Sequence, residues 1–357
     1  MIALSTLVNT FAEKLKQRYG DRLLPGHWNA LRAMGRCCTA ASPVFLVGCP
    51  DCGTHVVLPH SCGHRSCPHC QHQASQRWLQ RQREKLLPAK YFMVTFTLPA
   101  QLRGLVWCHQ RTCYDLLLKL AWQTLRTFGL NDPHLQGKIG AHAVLHTHTR
   151  SLDFHPHVHF IVPAGALSNR TWRSKKGDYL FNQDNLAKVF RAKWLQAMQS
   201  NGLTVRATLP DDWVVDCRSV GTGDKALTYL GKYLYRGVVQ EKDIISCDGS
   251  NVTFRYTDNS GQVRTRTVDG ADFLWLLLLH VLPRGFRRTR TYGLFHANCK
   301  QLVWLLQLLF RCRSTTPTPD TTAKPRIICR RCGAPMKILV TRLPPMPGVL
   351  QEGRNLV

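Results

Sequence analysis

The segment Phe154-His155-Pro156-His157-Val158-His159-Phe160 carries three imidazoles at alternate positions. Alternate side chains of a strand share a face, so His155, His157 and His159 point the same way. Two imidazoles converging from one strand make half a metal site. The third ligand is sought nearby. His146, on the strand pattern that precedes the segment, is the first candidate, and His155 the second. A binuclear metallohydrolase would follow its paired histidines with Asp-His, whereas Phe160-Ile161 follows here. Two imidazoles with phosphate oxygens and water suit Mg²⁺ or Mn²⁺ as a catalytic ion, and imidazole alone also takes Zn²⁺. The bland alternative is a solvated strand face that happens to be rich in histidine.

A second constellation lies about seventy residues on. Steps of about 100° place Leu227, Leu230 and Leu234 on one helix face, with Lys225, Lys232 and Arg236 roughly opposite. Tyr229 and Tyr233 fall on the border, one turn apart. Border tyrosines often only snorkel. Beside a Lys/Arg stripe they also fit nucleophiles that must reach a phosphodiester. An ordinary tyrosine titrates near 10 and needs help to attack, which a divalent ion beside the phosphate supplies. Attack on phosphorus leaves a phosphotyrosine and a free hydroxyl, so the bond energy is stored and ATP is not needed. The sequence has no glycine loop ending in Lys-Ser/Thr, hence no helicase motor.

Two Cys-x-x-Cys pairs, Cys49-Pro-Asp-Cys52 and Cys67-Pro-His-Cys70, are spaced to close one structural zinc tetrahedron. Cys62 and His64 lie between them as possible extra zinc ligands that could serve a second site, so one zinc or two is left open. Buried free cysteines are the alternative. Cys329-Arg-Arg-Cys332 supplies only half a site, to be completed by Cys312, Cys299 or a second chain. Cys37-Cys38 shows no usable spacing.

These residues sit in a chain of 357 with a net charge of +27. Such an excess calls for a polyanion, and nucleic acid comes before a membrane surface. The longest apolar runs, Phe273 to Leu279 and Leu302 to Phe310, are too short to span a bilayer and read as buried helices. There is no secretory signal pattern, and cysteines clustered among histidines point to zinc in a reducing compartment. The cytoplasm, in association with DNA, is the expected location. Strands over 91–98, 139–148 and 154–162, the last two adjacent and antiparallel, alternate with helices over 102–129, 184–200 and 224–235. The order predicts an α+β fold, an antiparallel sheet with helices on one face, preceded by a small zinc-binding domain. Three segments are expected: a helical and zinc-binding, DNA-binding domain over 1–85, a catalytic domain over 86–312, and a linker with a C-terminal Cys-x-x-Cys tail over 313–357. DNA contacts are expected from Lys225, Lys232 and Arg236. Others are expected in the basic stretch 284–292, where Arg284, Phe286, Arg287 and Tyr292 could pair phosphates and stack a base. A solvated basic loop is the alternative there.

The motifs together resemble a known family, the two-tyrosine HUH-class rolling-circle transposases of insertion sequences that begin with a zinc-binding domain (the IS91 family). The resemblance runs through Cys49-Pro-Asp-Cys52, Arg65-Ser66-Cys67-Pro68-His69-Cys70, Phe96-Thr97-Leu98-Pro99, His155-Pro156-His157-Val158-His159, Tyr229-Leu230-Gly231-Lys232-Tyr233 and His280-Val281-Leu282-Pro283-Arg284-Gly285-Phe286. It implies that His157 and His159 are the paired metal ligands and Tyr229 and Tyr233 the nucleophiles. It also implies an HUH-type sheet, nicking and rejoining of single-stranded DNA at transposon ends, and a host helicase supplied in trans. The chain departs from it at His148-Thr149-Arg150, where relatives often have Trp, Gly and Gln, and at Tyr235, where a histidine is common. A plasmid relaxase or replication initiator would share the chemistry. A non-enzymatic zinc DNA-binding regulator would share only the zinc.

Overall fold

The structure is a computed structural model, and it describes residues 2–70, 78–235, 239–258, 260–311 and 327–346, without the side chains of 229, 230 and 232–235. The chain forms two compact units. One comprises 1–74, 236–281 and 317–357, the other 75–235 and 282–316. Both are discontinuous, so the three consecutive segments expected from sequence do not coincide with them.

The first unit opens with helices α1 (Leu4–Tyr19) and α2 (Pro25–Arg36), followed by the hairpin β1 (Val44–Gly48) and β2 (His55–Pro59). The apolar stripe Leu4, Leu7, Val8, Phe11 and Leu15 of α1 is buried, at the three- and four-residue spacing of a helix face.

The second unit begins with α3 (residues 78–83) and β3 (Lys90–Thr97). The single long helix expected over 102–129 is two, α4 (Arg103–Cys108) and α5 (Gln110–Asn131), broken at His109 (φ −122°, ψ 43°). Next come β4 (Gly140–His148), β5 (Phe154–Pro163), the small hairpin β6 (Gly165–Ser168) and β7 (Thr171–Ser174), α6 (Gln183–Ser200), β8 (Val215–Thr222) and α7 (Gly223–Tyr235). Asn182 caps α6, its side chain accepting from the Asn185 amide at 2.8 Å.

The chain then returns to the first unit through β9 (Ile244–Cys247), the hairpin β10 (Asn251–Thr257) and β11 (Val263–Asp269), and α8 (Gly270–Leu278). Phe273, Leu274, Trp275, Leu277 and Leu278 are buried there, and Trp275 stacks on Tyr19 with centroids 4.6 Å apart. Strand β12 (Thr289–Gly293) and helix α9 (Lys300–Leu309) belong to the second unit, and β13 (Lys337–Leu343) to the first. Expected as a buried helix, α9 buries only Val303 and Leu306, and Trp304, Leu305, Leu308 and Leu309 are exposed. The linker expected after residue 313 lies outside the described residues.

The second unit is organised by a five-stranded antiparallel sheet, order β12-β4-β5-β3-β8. One face, with Phe92, Val94, Phe96, Leu145, Val158 and Phe160, packs on Tyr114, Leu117 and Leu118 of α5 and Phe190 and Trp194 of α6. The other, with Tyr91, Met93, Val144 and Ile161, packs on Ala226 and Leu227 of α7. Helices therefore cover both faces, not one. The strands are apolar at successive positions, as buried strands must be when both faces are covered.

Candidate metal centre and zinc-binding domain

The α7 face of the sheet changes character toward one end. Strand alternation that puts Val144 and Ile161 against α7 puts His146, His157 and His159 on the same face. His146 is the cross-strand partner of His157, and Thr95 of β3 is the partner of His159. The three rings converge, with centroids 5.2 Å apart for His146–His157, 4.5 Å for His146–His159 and 4.9 Å for His157–His159. One ring nitrogen from each lies within 4.8 Å of the others.

Hydrogen bonds orient two of the rings. His157 Nδ1 lies 2.7 Å from the His155 carbonyl, to which it donates as Nδ1–H, and this tautomer turns the Nε2 lone pair toward the cluster. His159 Nδ1 is 2.8 Å from the Thr95 hydroxyl. Burial holds all three imidazoles neutral. It drives His157 down to about 4, and it takes His146 and His159 well below the ordinary range, with their imidazole neighbours adding to the effect. Neutral, oriented and crowded imidazoles are what a divalent ion requires, so the donor set fits one. His155 shares the strand but turns to Arg103, its Nδ1 3.0 Å from the guanidinium, and does not join the triad. Thr95 was not singled out in the sequence. Its only signal there was a hydroxyl between the apolar Val94 and Phe96.

Helix α7 crosses this same sheet face. Its contact with α3 depends on Gly231, where an added Cβ would sit 2.4 Å from the side chain of Leu79. The expected nucleophiles Tyr229 and Tyr233 are on α7, but their side chains and that of Lys232 lie outside the described part, as does all of Arg236. Lys225, Arg284 and Arg287 are exposed. Phe286 is not a surface ring: it is 3 % exposed and packs edge-on against Tyr114 at 5.6 Å. Tyr292 stacks on Trp122 at 5.0 Å and is half-buried. The basic sequence around these rings suggested a nucleic-acid surface, but the strand and the turn before it direct them into the core.

The cysteines are paired differently from the expected Cys49/Cys52/Cys67/Cys70 tetrahedron. Cys67 and Cys70 meet Cys62 and Cys37, whereas Cys49 and Cys52 meet Cys329 and Cys332. His64 is in neither set; its Nδ1 accepts from the Ser66 amide at 3.2 Å. In the first set Sγ separations are 3.6 Å for Cys37–Cys70, 3.4 Å for Cys62–Cys70 and 3.7 Å for Cys37–Cys67. Amides of Cys62, Gly63 and His64 point at the sulfurs of Cys37, Cys70 and Cys62. Hydrogen bonds from Cys37, Cys62 and Cys67 stabilise a thiolate at Cys70, while Cys37 is pushed up to about 12. A cation among them lets all four ionise together. Cys37 comes from the end of α2, without a Cys-x-x-Cys spacing to announce it.

Two family models match the chain. One, described as "Transposase zinc-binding domain", covers residues 7–98, and the other, described as "Putative transposase", covers 140–302. The first spans all of the Cys37/Cys62/Cys67/Cys70 set, and the second spans the histidine triad and α7. The chain is 30% identical over 347 residues to "Putative transposase y4qJ" of Sinorhizobium fredii, covering 87% of this chain and 86% of the relative. This chain is an IS91-family transposase. It is also 26% identical over 349 residues to the "Transposase for insertion sequence element IS801" of Pseudomonas savastanoi pv. phaseolicola, covering 85% of this chain and 81% of that one. No solved structure matches it. As a member of the IS91 family it carries an N-terminal zinc-binding domain, and DNA is the substrate that it cuts and joins. No helix among the described residues is long and apolar enough to cross a membrane.

Proposed function

We propose that this transposase nicks and rejoins single-stranded DNA at transposon ends through a 5′-phosphotyrosine intermediate, with Tyr229 and Tyr233 as nucleophiles and His157, His159 and His146 as ligands of a catalytic Mg²⁺ or Mn²⁺. The observation that carries the reading is the convergence of three neutral imidazoles on the sheet face that packs on α7. A tyrosine hydroxyl oxygen forms a bond to the scissile phosphorus as the bond to the 3′ oxygen breaks. The tyrosine proton is lost and the leaving 3′ oxygen gains one, so the strand ends in a free hydroxyl. When bound, the ion would neutralise the non-bridging oxygens of that phosphate. The residues themselves orient the site: the His155 carbonyl fixes the His157 ring, and Thr95 bonds the His159 ring. A second tyrosine permits a second transfer, so that one strand is released while another is joined. Exposed cations such as Lys225, Arg284 and Arg287 supply sequence-independent attraction to the strand. The protein acts on DNA in the bacterial cytoplasm, and a host helicase supplies the unwinding for which the sequence has no motor.

A labelled single-stranded oligonucleotide that carries an element end, incubated with the full chain and Mn²⁺, tests the reading. A covalent protein–DNA band is expected, and Tyr229→Phe/Tyr233→Phe should abolish it while leaving DNA binding intact. A normal adduct in the double variant would overturn the assignment of the nucleophiles. Reversible binding alone by the wild type would favour a regulator.

A further inference from the structure

Cys49, Cys52, Cys329 and Cys332 lie outside the mechanism, and two of them lie outside the matched zinc-binding domain. We propose that these four thiolates hold a second tetrahedral divalent ion of the zinc class, which clamps residues 327–346 onto the N-terminal hairpin.

The argument rests on two knuckles of the same build. Cys49-Pro-Asp-Cys52-Gly53 and Cys329-Arg-Arg-Cys332-Gly333 repeat one pattern, Cys-x-x-Cys-Gly. In each, the amide of the first cysteine donates to the carbonyl five residues on, Cys49 to Thr54 at 2.8 Å and Cys329 to Ala334 at 2.8 Å. In each, the glycine amide donates back to the first cysteine, at 3.1 Å in one and 2.8 Å in the other. Gly53 and Gly333 take φ of +69° and +74°, left-handed values that a side chain would resist. This backbone turns both sulfurs of a pair to one side.

The two knuckles face each other. Cys49 Sγ is 3.4 Å from Cys332 Sγ, and Cys52 Sγ is 3.5 Å from Cys329 Sγ. Sulfurs around a tetrahedral ion at about 2.3 Å should be about 3.8 Å apart, whereas a disulfide would need about 2.05 Å. The packing is too open for bonds between the sulfurs and close to the edge length of an ion's coordination tetrahedron. Cys49 and Cys329 are buried, whereas Cys52 is half-buried and Cys332 exposed. Backbone pairing brings the knuckles together independently of the sulfurs. β1 lies between β2 and β13, and Gly48, just before the first knuckle, is paired with Lys337, just after the second.

The test uses the full chain in a His157→Ala/His159→Ala background, so that metal at the triad is not counted. Two zinc ions per chain are expected by elemental analysis, and one in the further variant Cys329→Ser/Cys332→Ser. One ion in the parent, or two in the further variant, would overturn the proposal. Alkylation of the native wild type decides the matter without any variant. Cys332 and Cys108 are both exposed, so lack of solvent access alone does not shield Cys332 from the reagent. Protection of Cys332 that a chelator removes is the expected result, slowing the reaction at least tenfold. Reaction at the rate of Cys108, or protection removed by a reductant and not by a chelator, would overturn it.

Discussion

The histidine triad and the Cys37/Cys62/Cys67/Cys70 cluster both gather side chains able to hold a metal ion, and they are built in opposite ways. His146, His157 and His159 stand on adjacent strands of a hydrogen-bonded sheet whose other residues fill a core. Backbone pairing holds them in register whatever occupies the site. The cysteines stand on the end of α2 and on short turns, where few backbone bonds join one ligand to the next. A scaffold on strands gives precision to a reacting site. A scaffold of turns draws its order from the ion that it binds, so that the binding energy becomes folding energy.

The largest consequence of that contrast concerns stability. Cys37→Ser/Cys67→Ser should cost several kcal/mol, because structural zinc sites contribute about 10 kcal/mol or more of apparent binding energy. Thermal melting and limited proteolysis would show it, and an unchanged melting temperature would break the contrast. His157→Ala/His159→Ala should do the reverse: a melting temperature near the wild type's, cysteine-bound zinc retained, DNA still bound, and cleavage down by about 10² or more. Wild-type cleavage with the same metal dependence in this variant would remove the triad from catalysis. His146→Ala reports separately on the third ligand.

A smaller effect is expected one bond further out. Thr95→Val keeps the shape of the strand and removes the hydroxyl beside His159, so metal affinity at the triad should fall by about 10–100-fold with little change in melting. Titrating Mn²⁺ into the cleavage assay would measure it, and an unchanged half-saturation would show that the ring is held by packing alone. The smallest effect concerns acid. His142 is fully buried on β4, stacked on Phe295 at 4.6 Å, and burial drives it down to about 3. Its folded value lies below its unfolded one, so as pH falls from about 6.5 to about 3 the unfolded chain takes up a proton that the folded chain refuses. Its contribution is complete above that window and is lost within it. His142→Leu should lower the slope of stability against pH there by up to one proton, about 1.4 kcal/mol per pH unit. Denaturant titrations at pH 6 and pH 4.5 would reveal whether the slope changes.

What could be read from the sequence follows the same division. The strand pair and its histidines were legible because a period of two leaves little choice of face, and antiparallel neighbours bring His146 opposite His157. Helix α7 was legible from its leucine spacing. The cysteine sets were not, because spacing shows which two sulfurs share a turn and says nothing of which turn meets which. Cys37 and the Cys329/Cys332 pair were thus left without their partners. Phe286 was misread because neighbouring charge speaks of surface, whereas the depth of a side chain depends on the packing of α5, far away in sequence.

The position of β13 also sets a timetable for synthesis. Cys49 and Cys332 are separated by 283 residues, and β1 has β13 as one of its two neighbours. At about 5–20 residues per second, a ribosome needs about 15–60 s to deliver that strand after the hairpin has emerged. During this interval one side of β1 offers unpaired backbone groups to any passing chain. Nascent transposase is therefore open to misassembly and to chaperones throughout the interval before β13 arrives, and a product cut short before β13 keeps that edge open for good.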